Sequence, residues 1–575
     1  MMPKRYKIGL VFLALGSLLI PGPVSSGSIL DTKHNLSVSG PGPVKSTTES
    51  EICVFCHAPH NTRRDIPYLW NKSDTTASYT PYQSTTLHAA VGQPTGASKL
   101  CLSCHDGTVA LGALLTRPAE IPFAGGVRFL PAGRTNLGTD LSDDHPVSLV
   151  YDSALASSNL ELNDPLALPP QVRLDQNKEL QCTACHDSHD NSNGKFLVMV
   201  NQYSGLCTTC HSKDGWTLTS HSTSGKIWNG AGANPWPNST YPTVAENGCG
   251  NCHVSHSAGG HQRLMNYAID EDNCLACHTG NVATQNIGNE LAKPYGHFVQ
   301  NYMGQHNPVE NFVLGGVPKH VECADCHNAH QSNATPSPGA PMVSGAITGV
   351  TGIDASGQAV KYAQNQQEIC YKCHGDNNVS TGLSITRQIA QLNTRLEFDP
   401  ANPSFHPVAG IGVNQYMPSL LPPYTTTSRI GCTDCHNNDN ASGPKGPHGS
   451  TNAYLLAKNY TTADNATESP LAYEVCYTCH SRASLLANQS FKAHNSHIVT
   501  YQAPCSACHD AHGVSNTQGN PVNNAHLINF DLNIVLADGQ GRRYFEKTGP
   551  GSGKCYLNCH GATHDPINFP LKSTY

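Results

Sequence analysis

Cys505-Ser506-Ala507-Cys508-His509-Asp510-Ala511-His512 decides how this chain is read. Two cysteines stand three positions apart, a histidine follows the second directly, and another histidine comes three residues later. Two thiols at that spacing can add to the two vinyl groups of one haem, and the adjoining histidine is then carried to the iron. The extra histidine is left free to bind iron, here or at a neighbouring haem. The chain holds twelve versions of this block.

The others are Cys53/Cys56/His57, Cys101/Cys104/His105, Cys182/Cys185/His186, Cys207/Cys210/His211, Cys249/Cys252/His253 and Cys274/Cys277/His278. They continue with Cys323/Cys326/His327, Cys370/Cys373/His374, Cys432/Cys435/His436, Cys476/Cys479/His480 and, last in the chain, Cys555/Cys559/His560. The last departs from the pattern, with Tyr556-Leu557-Asn558 between its cysteines. All 24 cysteines are used. A disulfide scaffold or paired zinc ligands would also use many cysteines, but neither chemistry requires a histidine after every second one. The reading is therefore about twelve covalently attached c-type haems, with the block histidines as proximal iron ligands.

The blocks come in pairs. The first of a pair is followed by a second histidine: His60, His189, His256, His330 and His512, with His448 in Gly446-Pro447-His448-Gly449 standing in for the fifth pair. A further histidine precedes each pair: His34, His145, His221, His306, His406 and His497. These twelve are the expected distal ligands, enough to give every iron two imidazoles. Of 31 histidines, 19 lie outside the blocks. His320 competes with His306 and His494 with His497, while His526 and His564 are contenders in the last unit. His88, His261 and His297 read as spares. Methionine is an alternative distal ligand, but Met199, Met265, Met303, Met342 and Met417 keep no fixed relation to the blocks and read as gap fillers.

The periodicity predicts six two-haem units rather than independent domains: 28–130, 131–215, 216–288, 289–380, 381–484 and 485–575, after a signal peptide over 1–27. Lys4, Arg5 and Lys7 precede an apolar run from Ile8 to Ile20, short of the roughly 20 residues that span a bilayer. The mature chain is expected to be exported and to have no membrane span. With a net charge of −7 and only 13 % charged residues, nothing suggests a nucleic-acid partner. Hydrophobic content is 38 %, with 51 Gly and 39 Pro, too polar and too broken for a large aliphatic core. The expected fold is mostly irregular coil with short α-helices and few strands, a haem-packed repeat array. A helix is expected over Thr386–Leu396, stopped by Pro400 and Pro403. The long intervals 106–181, 331–369, 375–431 and 510–554 are expected to be irregular, with short strands at most.

Several phrases resemble the doubled-CXXCH multihaem c-type cytochromes of metal-reducing bacteria: CVFCHAPHN at 53–61, KLCLSCHDGTVALG at 99–112, DDHPVSLVYD at 143–152, HVECADCHNAH at 320–330, GPHGS at 446–450, CSACHDAHG at 505–513 and the tail CHGATHDP. The resemblance implies a non-enzymatic electron carrier of the periplasm, outer surface or extracellular space. It implies other cytochromes or a metal or solid acceptor as partners, and some relatives form filaments. The departures from it are the CYLNCH block and the absent close follower of His436. A multihaem oxyanion reductase is the alternative, but such an enzyme needs an iron with an open position, and the histidine count closes without one. A filament subunit, with a terminal histidine donated to the next copy, is a further alternative.

Overall fold

The computed structural model describes residues 28–62, 68–304, 306–307, 320–377, 385–568 and 570–575. The expected signal peptide over 1–27 lies outside them. Among the described residues no helix is long and apolar enough to cross a membrane.

The chain is mostly irregular, as its composition dictates. Its longest helices, Gly96–His105 and Gln366–His374, both end on a block histidine. Eleven blocks are wound into a helical turn. In single-turn blocks such as Cys53–Phe55, Cys182–Ala184 and Cys505–Cys508, the histidine N–H donates to the carbonyl of the first cysteine: His57 to Cys53 at 2.7 Å, His186 to Cys182 at 3.0 Å, His509 to Cys505 at 2.9 Å. That i→i+4 bond brings both thiols and the imidazole to one side of the turn. The twelfth block is different: Cys555 and Cys559 lie on a β-strand, Ser552–Cys559.

Most strands between blocks are two-residue pieces, and two of the ladders they form join distant segments. Tyr295–Gly296 pairs antiparallel with Gly449–Ser450, and Ser404–Phe405 with Gly513–Val514. Each ladder ends beside two histidines, His297 and His448 in one, His406 and His512 in the other. Glycine is required there: a Cβ on Gly449 would lie 1.8 Å from the Glu290 carbonyl oxygen, and one on Gly513 would lie 2.1 Å from that of Glu397.

The helix expected over Thr386–Leu396 is confined to Thr394–Glu397. The earlier residues are drawn out by a neighbour: the Gln388 N–H donates to the Phe530 carbonyl, the Ile389 N–H to Asn529 Oδ1, and Arg387 bridges to Asp531. Asn393 then caps the short helix, accepting from the Arg395 and Leu396 N–H groups.

Two compact units are seen. One comprises 1–77, 94–138 and 169–200, and the other comprises 78–93, 139–168 and 201–575. Apolar cores are small. In the second unit the cluster of Ala503, Ala507, Ile528, Phe530, Ile534, Val535, Phe545 and Leu557 holds eight buried residues, and Cys508, Cys555 and Cys559 pack against it. In the first unit Val54, Phe55, Leu111, Leu114, Ile121 and Phe123 pack against Cys56 and Cys104. The cores sit against the thiols.

Candidate functional site

Eight of the twelve block histidines are held by their Nδ1 atoms. Backbone carbonyls accept a hydrogen bond from the Nδ1–H of His57 (Tyr68, 2.6 Å), His105 (Thr135, 2.7 Å), His186 (Lys195, 3.0 Å), His253 (Arg263, 2.7 Å), His327 (Ala346, 2.9 Å), His436 (Tyr454, 2.9 Å) and His509 (His526, 2.8 Å). His480 uses the Ser419 hydroxyl at 3.2 Å. A proton fixed on Nδ1 leaves the Nε2 lone pair for a metal and sets the ring's direction.

Opposite them stand other imidazoles at one repeated distance. Ring centroids are 6.2 Å apart in His57–His189, 6.1 Å in His34–His105, 6.2 Å in His145–His211 and 6.2 Å in His221–His278. They are 6.2 Å apart in His253–His330, 6.1 Å in His297–His374, 5.9 Å in His327–His448, 6.1 Å in His436–His512 and 6.3 Å in His494–His509. Two imidazoles bound to opposite sides of one metal ion at about 2 Å each place their centroids about 6 Å apart. The residues therefore fit an iron between each pair. The relative ring tilt differs by type: 18°, 7° and 7° for the pairs of His57, His253 and His327, against 67°, 78° and 62° for those of His105, His211 and His278.

The facing histidines are tied to one another. The Nδ1–H of His34 donates to the carbonyl of Ser188, just before His189, and that of His221 to Ala329, just before His330. His297 donates to Pro447, just before His448, His406 to Ala511, just before His512, and His497 to Ala493, just before His494. For His145 the backbone N–H does this, reaching the Ser255 carbonyl ahead of His256 at 2.8 Å. One leading histidine and one trailing histidine thus form a couple, six times over. The trailing member always comes from the following pair of blocks, except that His494 supplies it from within the last unit.

Burial keeps these rings neutral. It is the main cause, and the facing ring the next, of the low values at His211, His278, His374, His436, His448 and His480, all pushed down to about 4. The facing neighbour of His480 in this sense is His406. His512 moves the other way: burial lowers it, but the hydrogen bond and charge of Glu397, whose Oε2 accepts from Nδ1 at 2.9 Å, outweigh that and raise it. His256 has a similar partner in Asp144 Oδ1 at 3.0 Å.

The thiols run in chain order. Hydrogen-bonded sulfur pairs link Cys101 to Cys182, Cys207 to Cys249, Cys274 to Cys323, Cys370 to Cys432 and Cys476 to Cys505. The second cysteines approach within the pairs: Cys56 and Cys104, Cys252 and Cys277, Cys326 and Cys373, Cys435 and Cys479, Cys508 and Cys559. None of the 24 is bridged to another as a disulfide.

Cys185 departs from the expected grouping. The block spacing puts it in one two-haem unit, 131–215, with Cys210, but Cys185 belongs to the first compact unit (169–200) and Cys210 to the second (201–575). The physical reason is that its block is drawn to the helix Gly96–His105 of the preceding pair. The Cys182 N–H donates to Ser98 Oγ at 3.0 Å, and the Ser98 N–H donates to Gln181 Oε1 at 3.1 Å. Cys185 itself is half-buried and fixed by its backbone. Its N–H donates to the Cys182 carbonyl at 3.2 Å, and its carbonyl accepts from the Val198 N–H at 2.9 Å. Cys210 is governed by its own surroundings: burial raises its thiol, and the Thr209 and Tyr151 hydroxyls work against that.

The expected distal set departs from the ring geometry in two places. His306 does not face a block histidine: its Nδ1 lies 2.7 Å from the buried Glu322 carboxylate, near Asp325, and His297 faces His374 instead. Glu322 and Asp325 cap the Cys323–Cys326 turn, and His306 serves that cap. His60 is exposed, and His57 is faced by His189. His494 and His497, read as rivals, each have a place. His320 stacks on Tyr302 at 4.1 Å, His526 accepts from the Asn414 amide, His261 meets Ser142, and His88 is exposed. Block spacing does not distinguish His297 from His306. Its sequence signal is the Tyr-Gly preceding it, which matches the Gly-Ser after His448 in the ladder.

Among known proteins, residues 176–215 match the family described as the doubled CXXCH motif. No curated protein matches the chain. The matched stretch holds the block of Cys182, Cys185 and His186 and the block of Cys207, Cys210 and His211, and the same doubled block recurs on both sides of it. The protein is of the multihaem c-type cytochrome kind.

Proposed function

We propose that this chain is an exported electron carrier whose twelve haems are bound by two histidines each and arranged in the order of their blocks. Haem supplies one-electron chemistry at iron. The polypeptide's part is to hold the thiols in sequence, to place an imidazole on each side, and to orient many of those rings through Nδ1. The carrying observation is the repeated centroid separation of 5.9 to 6.3 Å, which suits two strong axial ligands and leaves no position for a substrate. The couples support the pairing of neighbouring blocks, because each joins the ligand of one block to the ligand of the other block of its pair. Delivery to an extracellular metal, a solid acceptor or another cytochrome, on the outer surface or beyond it, follows from the export signal and is part of the same proposal.

Intact mass together with a pyridine haemochrome assay tests the count, and low-temperature EPR with CO titration tests the ligation. Twelve covalent haems, low-spin and slow to take CO, are expected. Several high-spin ferric haems with rapid CO binding would overturn the proposal and favour a reductase.

A further inference from the structure

The twelfth block breaks the pattern in conformation as well as in spacing. Ser552–Cys559 pairs antiparallel with Tyr544–Gly549 on one side and with Ala562–His564 on the other, in the register Cys559↔Ala562, Asn558↔Thr563, Leu557↔His564. Two residues remain for the connection, His560 at φ 51° and Gly561 at φ 74°. Two-residue hairpin loops with both φ values positive are the turns that match strand twist. His560 is thus a loop residue, held in the left-handed region that asparagine or glycine occupies more readily.

Strand alternation then decides which histidine accompanies the thiols. Cys555, Leu557 and Cys559 are two apart and share one face, and all three pack on the same apolar cluster. Residues directly opposite in an antiparallel pair lie on the same face, so His564, opposite Leu557, stands on the thiol side. His560 does not. Its Nε2, the atom that binds iron when Nδ1 is anchored, lies 2.8 Å from Asp464 Oδ1.

His564 carries the ligand geometry found elsewhere. Its Nδ1 meets the Tyr575 hydroxyl at 3.1 Å. Its ring faces that of His497 at 6.0 Å, within the range of the other pairs. His497 is itself anchored through Nδ1 to the Ala493 carbonyl at 2.8 Å. This completes the last unit: His494 faces His509 and His497 faces His564.

We propose that the iron of the last block is held by His497 and His564, and that His560, although adjacent to the second cysteine, is not a ligand. This rests on the reading of the chain as a haem carrier. It assigns a proximal ligand four residues beyond the place where the block pattern puts it.

The test uses the full-length holoprotein. His564→Met should give one haem of twelve the near-infrared thioether-to-iron band and a raised potential, since methionine ligation raises it. His564→Ala should turn one haem high-spin and CO-reactive, and His560→Ala should leave all twelve low-spin. The assignment is overturned if His560→Ala produces the high-spin haem while His564→Ala does not, or if His564→Met shows no thioether band. Intact mass reports whether His560→Ala impairs attachment, in which case His564→Met decides. A wild-type protein without bis-imidazole spectra would fail the wider reading instead, so the two failures are distinguishable.

Discussion

At the scale of single residues, the second partner of each ligand matters most. The leading histidines His34, His145, His221, His297, His406 and His497 donate Nδ1–H to a carbonyl, but His512 donates to Glu397, a buried carboxylate that burial holds above its usual range. A hydrogen bond to a carboxylate gives the imidazole imidazolate character and stabilises ferric iron over ferrous. Glu397→Gln keeps the shape and removes the charge. It should raise the potential of the haem bound by His436 and His512 by on the order of 50 mV, the one-electron equivalent of roughly 1 kcal/mol. A redox titration of the variant against wild type reads this as one component moving up out of twelve; an unshifted profile would remove Glu397 from the tuning role. The cysteines and eleven of the block histidines are legible as candidates from residue order alone, because covalent attachment ties chemistry to spacing; His560 is set aside only by the strand register of its block. The leading histidines were less so: His306 and His297 suit the count equally well, and only the ladder pairing of Tyr295–Gly296 with Gly449–Ser450 distinguishes them.

At the scale of elements, two devices recur: the helical turn that gathers two thiols and an imidazole, and the short ladder that brings a leading histidine beside a trailing one. The first is written in eleven blocks as CxxCH. The second has almost no sequence signature, since two residues of strand on each side carry no periodicity. The same limit explains the overlong helix expected at Thr386–Leu396, where Asn529 and Phe530, some 140 positions away in the chain, override local preference. It also explains the grouping of Cys185, since nothing in the block spacing announces the Ser98–Gln181 contact that draws its block to the preceding pair. The ladders do leave one trace, the glycine that follows His448 and His512. Gly449→Ala would drive a methyl into the Glu290 carbonyl, separate the two strands, and displace both His448 and His297. The expected result is that the haems facing those two residues become partly high-spin and CO-reactive, with the other ten unaffected. A CO difference spectrum gives the fraction directly. Alanine at Gly92, which has open space around its Cβ position and no positive φ, is the control.

At the scale of the molecule, the composition predicts that side chains alone do not supply the interior, with 38 % hydrophobic residues, 51 Gly and 39 Pro. The apolar clusters described are small and lie against cysteines, where each would gain a macrocycle to pack on. Folding should therefore depend on attachment, as it does where a bound group supplies the stabilising free energy of a domain. Expression in a host lacking the c-type maturation machinery should give a chain with little fixed structure, digested by protease under conditions that the holoprotein withstands. Far-UV circular dichroism changes little in a protein with so few helices, so limited proteolysis and hydrogen exchange are the informative measurements. Protection of the Ile528–Val535 backbone in the haem-free chain would show that the eight-residue cluster folds by itself and that dependence on attachment is confined to the rest. No protection anywhere would mean that attachment and folding are one process along the whole array.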